Sequence, residues 1–201
     1  MTNPQGLDPM NLPDGTAAVL FDCDGTLVDT LELYRICWRQ VFGRHGFEMT
    51  DEWYDTWSGH SMEPFLRAAL PDIDDRMREQ VSGEGIELFL ESTHLLQPLE
   101  HVVAIARHYH GRLPIAVVSG GPRASVLGSL GAVGVTELFD LVVTADDVPH
   151  GKPAPDGYLR AMQLLEVTPE QCVAFEDSSS GITAAKLAGI PSIFDVRLLA
   201  P

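Results

Sequence analysis

The chain has 201 residues, which is enough for one α/β domain with or without an inserted subdomain. It is 45% hydrophobic and 21% charged, the composition of an ordinary soluble globular protein. Its formal net charge of −16 argues against nucleic acid or an anionic membrane as the main partner, because both repel an acidic protein. An acidic protein that binds an anion needs a local positive centre, so the positions of its only two lysines, Lys152 and Lys186, bear on function.

Cysteine usage and the N-terminal segment indicate the compartment. Cys23, Cys37 and Cys172 are scattered and match neither a disulfide framework nor a zinc spacing, which favours a reducing environment. Residues 1–15 are polar and rich in Pro and Gly, and they lack the basic start and apolar core of a signal peptide, so a flexible arm is predicted. No run approaches the roughly 18 apolar residues of a membrane span. We expect a cytoplasmic protein whose oligomeric state the sequence leaves open, a monomer being plausible.

The first apolar run, residues 17–21, breaks into Asp and Gly, which predicts a buried central strand that ends at a loop. Asp22 and Asp24 follow it at positions i and i+2, which point to the same side of an extended chain. Gly25 permits a sharp turn there, and Thr26 is expected to hold it through a local hydrogen bond. A turn that merely favours Asp and Gly remains the alternative for this stretch alone.

Residues 31–97 change to helical periodicity with no convincing strand. Apolar residues recur at three- and four-residue steps, and Thr50 is a candidate helix N-cap. Gly83 and Gly85 are expected to weaken the longest helix. All three tryptophans lie in this block, which predicts an all-helical subdomain inserted after the first strand, with helices over 31–45, 62–70 and 74–92 and a short helix after Thr50 that contains Trp53 and Trp57.

Beyond Pro98 strands and helices alternate again. Near-continuous apolar strands that alternate with helices predict a parallel sheet covered on both faces. The expected division is an α/β core over 16–30 and 98–201, a helical cap over 31–97 and an N-terminal arm. The strands are expected over 115–118, 141–143, 173–175 and 192–194, and the helices over 99–110, 122–130, 156–165 and 178–188.

Polar residues follow the carboxyl ends of the predicted strands, which share one rim in an open α/β sheet. Four carboxylates against one lysine leave a formal excess of three negative charges there, which would repel a phosphate. A divalent cation removes this conflict, and Mg²⁺ takes carboxylates, waters and phosphate oxygens as ligands. A metal beside a carboxylate that acts as nucleophile is a phosphoryl-transfer arrangement. The residues are Asp22 and Asp24 after strand one, Ser119 after strand two, Lys152 beyond strand three, and Glu176 with Asp177 after strand four.

These motifs, in this order, carry a family resemblance. The sequence D-x-D-G-T, then Ser-Gly after a strand, then Lys in G-K-P-A-P-D, then E-D-S resembles the haloacid dehalogenase (HAD) superfamily of phosphatases over essentially the whole chain. The helical insert resembles the cap of the beta-phosphoglucomutase-like branch. The segments YHGRLPIAVVSGG, GKPAPDGYL and FDVRLL look closest to sugar phosphatases of the fructose-1-phosphatase type. The resemblance implies a Rossmann-like core and hydrolysis of a small phosphorylated metabolite.

Carried over residue by residue, the resemblance implies a division of labour. Asp22 attacks phosphorus and forms an aspartyl-phosphate, and Asp24 alternates between acid and base. Ser119 and backbone N–H groups around Gly120, with the following helix N-terminus, would hold phosphate oxygens. Lys152 would bind phosphate and neutralise charge in the transition state.

The resemblance also implies the metal ligands. Mg²⁺ would be held by the Asp22 carboxylate, the backbone carbonyl of Asp24 and the side chain of Asp177. Glu176 would act on the metal through a water or would position Asp177, with direct ligation left open.

The cap would close as a lid, and its loops would contact the rest of the substrate. His60 is a candidate contact for a sugar hydroxyl, although a loop histidine of this kind is more often only solvated. Tyr34 stands where beta-phosphoglucomutase carries a histidine, and Met62 where its cap loop carries a phosphate-binding arginine. Both departures favour a hydrolase, with a mutase as the alternative inside the family.

Two other readings are weaker. True dehalogenases lack the second aspartate of the D-x-D motif and need no metal, so Asp24 and Asp177 argue against that branch. A non-catalytic binding protein of this fold would have lost its nucleophile or a metal ligand, and none is missing here.

Overall fold

A computed structural model describes residues 8–58 and 62–199. Five parallel strands form one sheet in the order β3-β2-β1-β4-β5, so the first strand lies at the centre. A parallel sheet with helical crossovers is the predicted fold class, and the prediction is confirmed. The strands are β1 (Ala18–Phe21), β2 (Ile115–Val118), β3 (Leu141–Val143), β4 (Cys172–Glu176) and β5 (Ser192–Asp195).

Eight α-helices lie in the described residues, close to the predicted bounds. Thr50 is confirmed as an N-cap, because its side chain accepts a hydrogen bond from the Trp53 amide. None of these helices is long and apolar enough to span a membrane. They are α1 (Leu31–Arg44), α2 (Asp51–Trp57), α3 (Met62–Ala69), α4 (Asp75–Ser92), α5 (Glu100–Tyr109), α6 (Arg123–Ala132), α7 (Asp156–Leu165) and α8 (Ser179–Leu187).

The sheet is covered on both faces, as its apolar strands predict. All four residues of β1 are fully buried, and alternate side chains enter two different apolar clusters. Val19 and Phe21 join a cluster with α5 and α6, whereas Ala18 and Leu20 join one with α7 and α8. Because the paired strands are all parallel, their carboxyl ends lie along one rim of the sheet.

The helical segment has an apolar cluster of its own, centred on Trp38, Phe42 and Phe65. Gly85 of α4 is required by this packing, because a Cβ there would overlap the Trp38 indole. The sequence had marked this glycine only as a weak point in a helix. We propose that residues 31–97 form a cap subdomain, and this separate cluster supports the division.

Residues 8–12 lie against the core. The Tyr109 hydroxyl donates a hydrogen bond to the Pro9 carbonyl at 3.2 Å, and Leu12 packs against the cluster that contains Val19 and Phe21. The part of the expected N-terminal arm that the structure describes is therefore attached through a hydrogen bond and an apolar contact.

Candidate active site

The two central strands bring the predicted acidic residues together. Phe21 of β1 pairs with Phe175 of β4, and the Asp22 amide donates to the Phe175 carbonyl at 3.0 Å. Asp22 therefore leaves β1 beside Glu176, the last residue of β4. Asp22 is 6% exposed and Glu176 is fully buried, so both carboxylates lie at the floor of the rim rather than in solvent.

Lys152 connects these two carboxylates. Its Nζ donates to Asp22 Oδ1 and Glu176 Oε1, each at 2.6 Å, and to the Val118 carbonyl at 2.8 Å. The three bonds use all the donors of an ammonium group. Burial by itself lowers the pKa of Lys152, but the Asp22 and Glu176 carboxylates outweigh it and raise the pKa above its ordinary value. Lys152 is therefore charged and held in place.

Glu176 is held by residues that the sequence did not single out. The Tyr158 hydroxyl donates to Glu176 Oε1 at 2.6 Å, and the Ser178 hydroxyl lies 3.4 Å from Oε2. Gly181 of α8 leaves room for the carboxylate, because a Cβ there would overlap it. Burial raises the pKa of Glu176 to about 7, while Lys152 acts in the opposite direction. The sequence contained one signal for the role of Tyr158. It lies on the apolar face of α7, and a buried phenol needs a hydrogen-bond partner.

The turn after β1 supports Asp177. Gly25 has a φ of +77°, and a Cβ there would overlap the Asp177 carboxylate, so glycine is required twice over. The Thr26 amide donates to the Cys23 carbonyl at 3.3 Å, the local hydrogen bond expected of this turn, and the Thr26 hydroxyl lies 3.4 Å from Asp177 Oδ1 in the loop after β4. Burial, then the Asp22 and Glu176 carboxylates, raise the pKa of Asp177 to about 7.

Asp24 faces the end of β2. The Ser119 hydroxyl lies 3.4 Å from Asp24 Oδ2 and accepts a hydrogen bond from the Gly121 amide at 3.0 Å. Asp24 Oδ1 is buried without a hydrogen-bond partner among the described residues. Burial raises the pKa of Asp24 to about 6, and the Asp22 charge acts in the same direction. The Thr30 and Ser119 hydroxyls act on this carboxylate in the opposite direction and lower its pKa.

Two of the backbone amides that follow β2 have partners within the chain. The Gly121 amide is used by Ser119, and the Arg123 amide at the start of α6 donates to Asp146 Oδ2 at 2.9 Å. The exposed Gly120 amide has no partner among the described residues. A Cβ on Gly120 would lie 4.0 Å from Lys152 Cδ, so this free amide is close to the lysine.

The acidic residues at the rim fit a divalent cation. Asp22, Glu176 and Asp177 each offer one oxygen, and these oxygens all lie within 4.8 Å of one another. Hard oxygen donors of this kind suit Mg²⁺. Asp22, Asp24, Glu176 and Asp177 exceed the charge of Lys152 by three, and a bound cation would offset part of that excess. The Asp24 side chain is not part of this group of three. The family resemblance likewise implies that Asp24 would bind the metal through its backbone carbonyl.

The candidate cap contacts divide into two groups. His60 lies outside the described residues, so its role stays a prediction. Met62 packs against the cap cluster. Tyr34 stacks on Phe89 with ring centroids 4.1 Å apart, and it touches both the cap cluster and the core cluster. These contacts favour the interpretation of the cap aromatic residues as packing residues.

Comparison with known sequences identifies relatives along the whole core. The family model described as "haloacid dehalogenase-like hydrolase" matches residues 19–194. Fructose-1-phosphate phosphatase YqaB of Escherichia coli is 36% identical over 187 residues, covering 91% of this chain and 97% of that protein. Validoxylamine A 7'-phosphate phosphatase of Streptomyces hygroscopicus is 35% identical over 192 residues, covering 85% of this chain and 81% of that protein.

A solved structure shows the same fold. CbbY from Rhodobacter sphaeroides, in complex with phosphate, superposes with a TM-score of 0.81 at 26% identity. The match covers 92% of this chain and 90% of that one, so it includes the helical segment as well as the sheet.

Proposed function

Because the chain belongs to the haloacid dehalogenase-like hydrolase family, we propose that it is a Mg²⁺-dependent phosphatase that hydrolyses a small sugar phosphate through an aspartyl-phosphate. The observation that carries the proposal is the meeting of Asp22, Glu176 and Asp177 within 4.8 Å, next to the buried Lys152. The site combines a nucleophile, a fixed positive charge and a set of oxygen ligands in a single small volume.

The substrate phosphate is placed between the ends of β1 and β2. The hydroxyl of Ser119 next to Asp24 and the free amide of Gly120 are the proposed donors, and Lys152 supplies the fixed positive charge. Ser119 also contacts Asp24, so a phosphate oxygen that binds its hydroxyl would free Asp24 Oδ2 for proton transfer.

Asp22 attacks phosphorus, and the bond to the ester oxygen breaks as the aspartyl-phosphate forms. Asp24 gives a proton to the leaving oxygen, then takes one from the water that hydrolyses the acyl phosphate. Lys152 holds Asp22 Oδ1 at 2.6 Å throughout, which fixes the direction of the nucleophile.

The Asp22 and Asp177 carboxylates and the Asp24 backbone carbonyl would hold Mg²⁺, with Glu176 next to them. When bound, the ion supplies positive charge that lets an anionic phosphate approach these acids. Glu176 Oε1 is already shared by Lys152 and Tyr158, so its other oxygen is the one available to the ion or to a water on it.

The names of the relatives support a sugar phosphate as substrate. One relative at 36% identity is named for fructose-1-phosphate, and a second at 35% is named for validoxylamine A 7'-phosphate. A small, polyhydroxylated phosphomonoester such as fructose-1-phosphate is therefore the proposed substrate class.

The main test is hydrolysis of an aryl phosphate and of fructose-1-phosphate with Mg²⁺ and after chelation. We expect activity only with the ion, and we expect Asp22→Asn to lower kcat by about 10⁶-fold, the scale of losing a nucleophile. Undiminished activity in Asp22→Asn would rule out the nucleophile, and undiminished activity after exhaustive chelation would rule out the metal requirement.

A second experiment separates the alternatives inside the fold. A panel of sugar phosphates compared by kcat/KM identifies the preferred substrate. Interconversion of phosphosugar isomers in the presence of a bisphosphorylated sugar would identify a mutase instead. Tight binding of a phosphosugar without turnover would identify a non-catalytic binding protein.

A further inference from the structure

We propose that Tyr158 is a positioning residue for phosphoryl transfer, which keeps the Lys152 ammonium on Asp22 by satisfying Glu176. The proposal rests on the proposed function, since it assigns a task to a residue behind the nucleophile. Tyr158 is fully buried in α7, and the hydrogen bond described for its hydroxyl goes to Glu176 at the floor of the rim.

Lys152 is shared by two competing carboxylates. Its Nζ lies 2.6 Å from Asp22 Oδ1 and 2.6 Å from Glu176 Oε1. The Glu176 side chain is fully buried, whereas that of Asp22 is 8% exposed and has access to water. An ammonium interacts more strongly with the carboxylate that has less solvent, so Glu176 alone would draw Nζ away from the nucleophile.

Tyr158 offsets this competition. Its hydroxyl donates to the same oxygen, Glu176 Oε1, at 2.6 Å, so that oxygen carries two donors instead of one. A second donor weakens the attraction of Glu176 Oε1 for Nζ, so that the ammonium stays between the two carboxylates. The Tyr158 ring also lies 5.5 Å below Nζ, within the range of a cation–π contact. The Tyr158 hydroxyl therefore adjusts how strongly Glu176 attracts the ammonium, and the Tyr158 ring covers one side of the ammonium site.

A purely structural role makes a different prediction. Tyr158 belongs to the apolar cluster between the sheet and helices α7 and α8. If it only filled that cluster, phenylalanine would fit the same space and would leave catalysis unchanged. Tyr158→Phe therefore removes the hydroxyl that the proposal needs and keeps the ring that packing needs.

The experiment compares Tyr158→Phe with Tyr109→Phe in the full chain with Mg²⁺. Tyr109 also donates a hydrogen bond, to the Pro9 carbonyl, which is partly buried and lies at the N-terminal segment away from the rim. We expect Tyr158→Phe to lower kcat by about 10-fold or more, the usual scale for a residue behind a directly acting group. KM should change less than kcat, because the Ser119 hydroxyl and the Gly120 amide are untouched even though the Lys152 ammonium shifts. Tyr109→Phe should change neither.

A double-mutant cycle with Glu176→Gln tests whether Tyr158 acts through Glu176. In the Glu176→Gln background, removal of the Tyr158 hydroxyl should change kcat by less than about twofold, since the charge that draws Nζ is gone. Equal fold-losses in both backgrounds would overturn the proposal, and so would a kcat for Tyr158→Phe equal to that of the wild type.

A crystal structure of Tyr158→Phe provides a readout that does not depend on turnover. The Nζ to Asp22 Oδ1 distance should lengthen beyond hydrogen-bond range while Nζ stays on Glu176. If the wild type hydrolyses no phosphate, the proposed function fails and this distance alone decides the inference. An unchanged position of Nζ would overturn it.

Discussion

The rim of the sheet contains a lysine between two acids, the surface of the cap contains an arginine among three (Glu32, Asp51 and Asp55), and the two sites behave differently. At the rim, Lys152 pairs with Asp22 and Glu176 at 2.6 Å, with side chains that are 11%, 8% and 0% exposed. On the cap, Arg35 pairs with Asp51 and Asp55 at 2.8 Å, with acids that are 66% and 63% exposed. The distances are nearly equal, so the surroundings account for the difference.

The pKa values of the acids Asp51 on the cap and Glu176 at the rim shift in opposite directions. Hydrogen bonds from Arg35 and Arg39 lower the pKa of Asp51, because solvated pairing favours the charged form. Burial raises the pKa of Glu176 to about 7 despite its bond to Lys152. Desolvation therefore sets the direction of the pKa shift of the acid Glu176 at the rim, whereas pairing sets that of the acid Asp51 on the cap. A site that keeps its charges desolvated gains strong electrostatic interactions, and it becomes sensitive to the loss of any one partner.

The largest expected effect comes from removing the central base of each site. Lys152→Met should lower the free energy of unfolding by about 3 kcal/mol or more, because it leaves two desolvated carboxylates without a counter-ion. Arg35→Met on the cap should cost only a small fraction of that, since water replaces the lost partner. Urea unfolding of both variants without added divalent cation measures the difference. Equal losses would mean that burial does not separate the two sites.

A glycine in each region extends the comparison from charge to packing. Gly181→Ala should lower the free energy of unfolding by about 2 kcal/mol, because its Cβ would overlap the Glu176 carboxylate. Gly83→Ala in the cap helix α4 meets nothing within 4 Å and should stabilise the protein by up to about 1 kcal/mol. Thermal or urea unfolding checks both signs. A neutral Gly181→Ala would show that the carboxylate moves freely, against the tight site described above.

The smallest expected effect comes from a pair of intermediate exposure. Asp147 is 30% exposed, accepts hydrogen bonds from Thr144, and pairs with Arg123 at the start of α6, which lowers its pKa. At pH 7, Asp147→Ala should lower the free energy of unfolding by about 1 kcal/mol, the scale of a lost cap.

The pH dependence of this variant follows from the sign of the shift. A lowered folded-state pKa contributes stability above the unfolded value of about 3.9, and this contribution is lost as the pH falls through the folded pKa. The difference in unfolding free energy between wild type and Asp147→Ala should therefore shrink from pH 7 towards pH 3. A difference that stays constant over this range would show that the ion pair with Arg123 adds nothing.

Much of the fold was predictable because its signals are local. The bounds of β2, β3 and α7 agree with the predicted ranges, since short apolar runs and helical periodicity are properties of neighbouring residues. The glycine turn after Asp24 and the Thr50 cap are likewise set within a few positions. The residues expected at the rim follow their strands because each strand ends where its apolar run ends.

Other features depended on contacts between distant segments. The Thr26 hydroxyl contacts Asp177, 151 positions away. The Arg123 amide at the start of α6 donates to Asp146 from the loop after β3. Gly85 was expected only to weaken its helix, but the structure shows that the Trp38 ring packs where a Cβ of residue 85 would lie. None of these partners is marked by sequence pattern alone.

The sequence by itself determined which strands form the sheet and which acids and lysine follow them, because apolar runs and turn residues act over a few positions. Only the tertiary structure decided how Lys152 is divided between Asp22 and Glu176, which lie 130 and 24 positions from it. It also decided that Tyr158 and Gly181 complete that site. The physical reason is that desolvation and hydrogen-bond sharing arise only when packed elements exclude water from groups that are far apart in the chain.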